Sequence, residues 1–261
     1  MGKIQQIFKV PEIRNKVLFI LGLLLVFRML ATITVPGVDA SRLKDLLDSN
    51  QLLGFLDLFS GGALANLSIA MLGVAPYITS TIIMQLLTMI FPQLKKLYYE
   101  EGAIGRAKFN RWSRWLTVPL AVLQSYGFLN LLTSQRIVLF AGPGDLFRAI
   151  VVVTAGSLFL MWLGELITEK KIGNGVSLLI FGGIVAGLPQ MIQGAVASYT
   201  PSMLPSYIAF LVVSFIVIAG VVFITEGERK VPVSYAKQVR GNRVYGGVSS
   251  YLPLKVNQAG V

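Results

Sequence analysis

The chain has 261 residues, 54% of them hydrophobic and only 13% charged, with a formal net charge of +11. Its mean hydropathy is +0.70, whereas soluble domains carry about 25% charge, so this is the composition of a membrane protein, best counted in spans of about 20 residues. Cysteine and histidine are both absent, which excludes disulfides, thiol nucleophiles, Ser-His and Cys-His pairs and the usual zinc sites.

The first element is an apolar run from Val17 to Val35 behind Lys3, Lys9, Arg14 and Lys16. It is too long for the apolar region of a signal peptide, and Val35-Pro36-Gly37 is a poor cleavage site, so it reads as a retained first span. Arg28 lies within it. An arginine at that depth costs roughly 2.5–3.5 kcal/mol on insertion scales and should face protein or water, either as a functional group or as a hydrogen-bond anchor. Segment 36–73 follows, with Asp39, Asp45, Asp48 and Asp57 and a leucine pattern that suits a short surface helix or a solvated connector.

From Leu58 to Leu94 there are 37 residues without a charge. As one helix they would run about 55 Å, against a hydrocarbon core of roughly 30 Å. Gly73-Val74-Ala75-Pro76 supplies the expected break. The stretch reads as a small glycine-rich helix, about Gly61–Leu72, entering the membrane from outside, and a returning span, about Ala75–Ile90. Broken backbone at membrane depth is tolerated only inside protein or beside a cavity. A surface helix followed by an ordinary short span fits the same pattern. In the returning helix Ile78, Ile82 and Gln85 share one face, where packing is the ordinary use.

Four further spans are predicted, at about 115–132, 149–167, 176–192 and 204–224. Pro119 falls in the first turns of the third span, where proline is tolerated. Glu165 lies near the end of the fourth and reads as structural, and Gly182, Gly183 and Gly187 in the fifth suit close helix packing. With the N-terminus cytoplasmic, segments 1–16, 91–114, 168–175 and 225–261 hold eighteen Lys and Arg against four in the outside segments, a strong positive-inside asymmetry. The expected organisation is a cytoplasmic N-terminus (1–16), a six-span membrane domain (17–224) and a basic cytoplasmic loop (225–261). In that loop "ERKVPVSYAKQVRGNRVYGGVSSYLPLK" alternates like a β-hairpin turning at Gly241-Asn242. Its basic tip, with Lys237, Arg240 and Arg243, suits a phosphate backbone or an acidic protein, or is a solvated loop obeying the charge rule.

Three stretches go beyond pattern: "FSGGALANLSIAMLGVAPYITSTIIMQLLT", "FLMWLGELITEKKIGNGVSLLIFGGIVAGLP" and "ERKVPVSYAKQVRGNRVYGG…YLPLKVNQAGV". Together they closely resemble the bacterial SecY family over essentially the whole chain. The resemblance implies an all-α polytopic protein, with two inverted halves of a ten-span channel around an hourglass pore. This chain would hold the first half, the sixth span and the hairpin. It would form a passive polypeptide channel in the cytoplasmic membrane, not an enzyme, with no catalytic residue, cofactor or metal.

Residues 61–72 would be the plug, including Gly61, Gly62, Ala63, Leu64, Asn66 and Leu67. Val74, Ile78 and Ile180 match the ring of apolar pore residues, with valine in place of the commoner isoleucine at 74. Ile82 and Gln85 would lie on the lateral gate. Lys237, Arg240 and Arg243 would touch the ribosome, including ribosomal RNA, or the SecA motor; Asn242 replaces one of two adjacent arginines usual at that tip. Implied partners are SecE and SecG, signal sequences, nascent polypeptides and lipid. Family members continue past "KVNQAGV" into a seventh span, so the chain reads as a fragment or as one of two pieces. A secondary transporter with a broken helix, or a membrane scaffold or insertase, are the other readings of the pattern.

Overall fold

The structure is a computed structural model. It describes residues 10–35, 57, 60–138, 140, 142–233, 238–240, 243–245 and 250–255. The chain divides into two compact units, residues 1–193 and 194–261.

The first unit opens with α1 (Pro11–Leu30), started by a proline at its first position. The expected run to Val35 is not all helix. Thr32, Ile33, Thr34 and Val35 are β-branched and precede Pro36, and both features favour extended backbone. Thr34 instead makes an antiparallel bridge with Ser68. The apolar stretch of α1 between Lys16 and Arg28 is therefore eleven residues, about 16 Å of helix.

Residues 60–74 come next and are not the small helix expected. They form successive tight turns, including those closed by Leu67 N–H to Leu64 O, Met71 N–H to Ser68 O and Gly73 N–H to Ala70 O. Gly61, Gly62, Gly73 and even Leu67 take left-handed backbone (φ +69°, +79°, +56° and +40°), and a helix cannot run through such residues. The bridge to strand-like residues 33–35 also draws Leu67 O and Ile69 N–H out of any helical ladder.

Then come α2 (Ala75–Ile90), α3 (Pro92–Tyr99) and α4 (Gly102–Ser134). The chain bends by 113° between α2 and α3, at a phenylalanine held extended by the following proline. α4 is longer than the predicted third span and Pro119 lies in its middle. The reason is a stripe at every fourth position, Gly105, Phe109, Ser113, Thr117, Ala121, Ser125 and Leu129, all buried. That stripe packs continuously, while Pro119 points outward and is exposed. α2 carries a matching buried stripe, Pro76, Ser80, Met84 and Thr88. Rows spaced by four are the ridges that interlock in helix packing, and small residues let the backbones close up.

α5 (Pro143–Glu169) and α6 (Gly175–Ala197) complete the bundle. The turn between them is tight. Asn174 Oδ1 accepts the Val176 and Ser177 N–H groups at 3.0 and 3.3 Å, capping α6. Buried hydroxyls tie the helices together: Ser80 to Thr117 at 2.8 Å and Ser125 to Thr154 at 3.2 Å. Arg114 grips Glu165 with two bonds of 3.0 and 3.1 Å, so Glu165 is structural, as expected. Gly182 packs on Leu24 and Gly183 on Gly61, whereas Gly187 faces open space.

In the second unit a 3-10 turn (Pro201–Met203) leads into α7 (Leu204–Glu226). Among the described residues none of α7 is buried. β1 (Glu228–Val233) pairs antiparallel with β4 (Ser250–Lys255), and β2 (Gln238–Arg240) with β3 (Arg243–Tyr245). Arg240 is paired in register with Arg243; the predicted turn at Gly241-Asn242 lies outside the described residues.

Among the described residues four helices are long and apolar enough to cross a membrane, α4, α5, α6 and the Pro201–Glu226 helix, or five if the bent pair α2 and α3 is counted as one span. The protein is thus a mostly helical membrane protein with four to five candidate spans rather than six by this measure. α1 falls short because Arg14, Lys16 and Arg28 crowd its apolar stretch.

Two consequences are measurable. A Cβ on Gly156 of α5 would overlap the backbone carbonyl of Ile69, while one on Gly187 would meet nothing. Gly156→Ala should therefore lower stability by about 1–3 kcal/mol, and Gly187→Ala should be neutral or slightly stabilising; thermal unfolding in detergent compares them. The Arg114–Glu165 pair is bidentate and only partly exposed, so a double-mutant cycle with Arg114→Met and Glu165→Gln should give a coupling of about 1–2 kcal/mol, above that of ordinary surface pairs.

Candidate functional site

Residues 60–74 lie at the centre of the first unit. Ala63, Leu64, Leu67, Ser68, Ala70 and Met71 are each at most 3% exposed. They divide between two apolar clusters. Leu64, Leu67 and Met71 join Val35, Leu129, Leu132 and Val153. Ala63, Ala70 and Val74 join Ile20, Phe27, Leu160 and Leu179. The segment is therefore the wedge on which α1, α4, α5 and α6 all close.

Its backbone is irregular, so its polar groups need partners from outside a helical ladder. The side chains around it supply them. The Arg28 guanidinium donates to the Gly61 carbonyl. Ser157 Oγ donates to the Gly73 carbonyl at 2.9 Å, fully buried. Asp57 Oδ1 accepts the Ala65 N–H at 2.7 Å, and Ser60 Oγ accepts that of Leu64 at 3.1 Å. Val35 N–H donates to Leu67 O and Ile69 N–H to Ile33 O, both at 2.9 Å. No buried side-chain nitrogen or oxygen among the described residues lacks a partner. Arg28 is thus a hydrogen-bond anchor, one of the two uses open to it from the sequence.

Beside the wedge is a cavity of about 580 Å³. Val74, Ile78 and Ile180, the three predicted ring positions, all line it, together with Leu64 of the predicted plug. Val74 is nearly buried, while Ile78 is 37% exposed and reaches into the open space. The remaining wall is a face of α4 that sequence reading missed: Gln124, Gly127, Phe128 and Leu131. Their spacing of three, four and seven was available as a signal, but nothing in the residue types marked that face out from the rest of an apolar helix. The lining holds no charged side chain, and Ser60 and Gln124 are its polar ones. Such a wall offers mainly apolar contact, with the Ser60 hydroxyl and the Gln124 amide as its polar groups.

The other predicted residues are elsewhere. Gly61, Ala63 and Leu67 are buried in the wedge, Gly62 is half-buried beside Arg28, and Asn66 is exposed. Ile82 and Gln85 are exposed along α2, one and two turns past Ile78, and do not line the cavity. Arg240 and Arg243 face each other in register at the ends of β2 and β3; Lys237 and Asn242 lie outside the described residues.

Comparison with known proteins places this architecture. The SecY family model matches residues 68–261. The Corynebacterium glutamicum protein translocase subunit SecY is 43% identical over 100% of this chain and 61% of its own length. The Escherichia coli K12 subunit is 42% identical over 96% of this chain and 58% of its own. Among solved structures, a protein conducting channel aligns with a TM-score of 0.59 at 19% identity, over 98% of this chain and 58% of that one. A SecY protein whose plug domain stabilises the closed state of its channel aligns at 0.56 and 20%, over 89% and 50%. The chain spans about 60% of the length of these curated relatives. With a buried irregular wedge, an apolar cavity beside it, the shared fold and this level of identity, the chain belongs to the SecY family.

Proposed function

We propose that the chain forms the first half, the sixth span and the hairpin of a protein-conducting channel. The channel moves unfolded polypeptides across the cytoplasmic membrane and releases membrane segments sideways into lipid. The observation that carries this reading is the cavity. Val74 and Ile78 on one side and Ile180, a hundred residues later, on another converge with Leu64 on a single uncharged space. An apolar constriction blocks ions by dewetting, yet binds no particular side chain of a passing polypeptide. Residues 61–72 then act as the plug, a stopper packed against the constriction.

Six spans are required by this reading, with α1 as the first despite its charges. Arg28 is tolerated because its guanidinium is spent on Gly61 rather than on lipid. α2 serves as the gate helix. One face carries Ile78 to the cavity, while Ile82 and Gln85 are left exposed for a departing signal sequence. The N-terminus and hairpin are cytoplasmic, in keeping with the eighteen-to-four charge asymmetry. The hairpin's arginines dock on ribosomal RNA or on SecA, and SecE and SecG are the companion subunits. Sec61 in a canine ribosome–channel complex shares the fold, with a TM-score of 0.56 at 19% identity. No catalytic group is needed, because the work comes from the translating ribosome or the motor.

Two experiments test this. In the full-length channel, Ile78→Gly with Ile180→Gly should raise ion conductance across planar bilayers severalfold; unchanged conductance removes the seal from these positions. Arg243→Glu should weaken binding to ribosomes or SecA roughly tenfold and flatten its salt dependence; equal affinity at moderate salt returns the hairpin tip to a solvated loop.

A further inference from the structure

Residues 61–73 are bounded by two glycines with left-handed backbone, Gly61 (φ +69°) and Gly73 (φ +56°). Each glycine offers its carbonyl to a side chain from another element. Gly61 accepts from Arg28 of α1, and Gly73 accepts from Ser157 of α5. The two bonds differ in kind. The first has a charged donor on a long, flexible side chain, in a half-buried place. The second has a neutral donor on a short side chain, wholly buried. Charge-assisted hydrogen bonds are roughly twice as strong as neutral ones.

The packing is close at both ends. At the Gly61 end the contact is backbone on backbone: a Cβ on Gly61 would stand 2.7 Å from the Gly183 Cα. At the other end Gly73 leads without interruption into α2. Near it Gly156, one residue before Ser157, fits against the carbonyl of Ile69, four residues before Gly73, with no room for a methyl group.

We infer that Arg28 is the latch of the wedge and Ser157 its pivot: the segment leaves the cavity by turning about Gly73, breaking the Arg28–Gly61 bond and keeping the Ser157–Gly73 bond. This rests on the reading of residues 61–72 as a plug. It assigns both side chains as positioning residues, and it gives Arg28, the arginine deep in the apolar stretch of α1, a use that offsets its insertion cost. A rotation about Gly73 moves Gly61 furthest and Gly73 least, so the energy that holds the plug shut is concentrated at its far end. Leu64, three residues from the latch, reports the motion because it lines the cavity opposite Ile180 and Ile78.

The test uses the full-length channel with cysteines at Leu64 and Ile180, joined by a short thiol crosslinker in the closed state. Arg28→Met should shift the ratio of closed to displaced segment roughly ten- to hundredfold toward displacement, seen as lost crosslinking and raised ion leak. Arg28→Lys, which keeps a charged donor, should restore most of the crosslink, and Arg28→Gln should fall between. A role in folding alone would instead reduce the amount of protein while leaving the surviving molecules crosslinked as before. Ser157→Ala should loosen Leu64 much less than Arg28→Met. Two results overturn the inference: crosslinking in Arg28→Met equal to the parent, or Ser157→Ala releasing Leu64 as fully as Arg28→Met. Should Arg28→Met fail to accumulate, the comparison of Arg28→Gln with Arg28→Lys decides in the same way. A channel whose Ile78→Gly and Ile180→Gly form leaks while Arg28→Met stays sealed refutes the latch and leaves the channel reading standing.

Discussion

An irregular stretch of backbone buried in an apolar body is the constraint on which the rest of this structure depends. Helices satisfy their own amides, but residues 60–74 do not form one, so their carbonyls and amides look to their surroundings. The answer comes from several directions. Arg28, Ser157, Ser60 and Asp57 contribute side chains, and residues 33–35 contribute a short backbone ladder. Arg28 and Ser157 lie on helices, α1 and α5, whose own positions are thereby tied to the wedge. The wedge organises the helices around it as much as they enclose it.

Close approach is the second half of that arrangement. A turn-rich segment is too bulky to fit between helices at ordinary spacing unless their near faces are stripped of side chains. Gly156 and Gly183 provide that clearance, directly against Ile69 and Gly61. The same economy governs the helix pairs, where the four-residue stripes of α2 and α4 are rich in small groups and close on each other through Ser80 and Thr117. Hydroxyls suit this setting because they can be satisfied locally by a backbone carbonyl and still bridge to a neighbour.

Most of this wall-building leaves the cavity itself plain. Apolar side chains and two uncharged polar ones surround it, and the charged groups are placed elsewhere: Arg28 on the wedge, Arg114 with Glu165 between α4 and α5. Under the proposed channel reading, such plainness suits a space that must not hold on to what passes it, since a fixed charge would select among substrates and trap some of them. The protein keeps its strong interactions for position and its weak ones for the lining.

The sequence by itself determined the helical membrane class, the break after residue 72 and the hairpin. It located α2, α6 and α7 to within about five residues, because length, charge and local turn chemistry decide such features without reference to distant residues. The resemblance placed Val74, Ile78 and Ile180 together, and the structure gathers them around one cavity. Tertiary structure alone decided the rest. It made 33–35, already disposed to extended backbone by β-branching and Pro36, a ladder partner for 67–69, and it replaced a helix over 61–72 with turns. It carried α4 straight through Pro119 and brought in the Gln124–Leu131 face. In each case the deciding energy comes from a partner far along the chain: Ile33 for Ile69, Ser157 for Gly73, the small stripe of α2 for that of α4. Local propensity carries no record of such partners, and a glycine such as Gly156 shows its purpose only when the carbonyl it accommodates is in place.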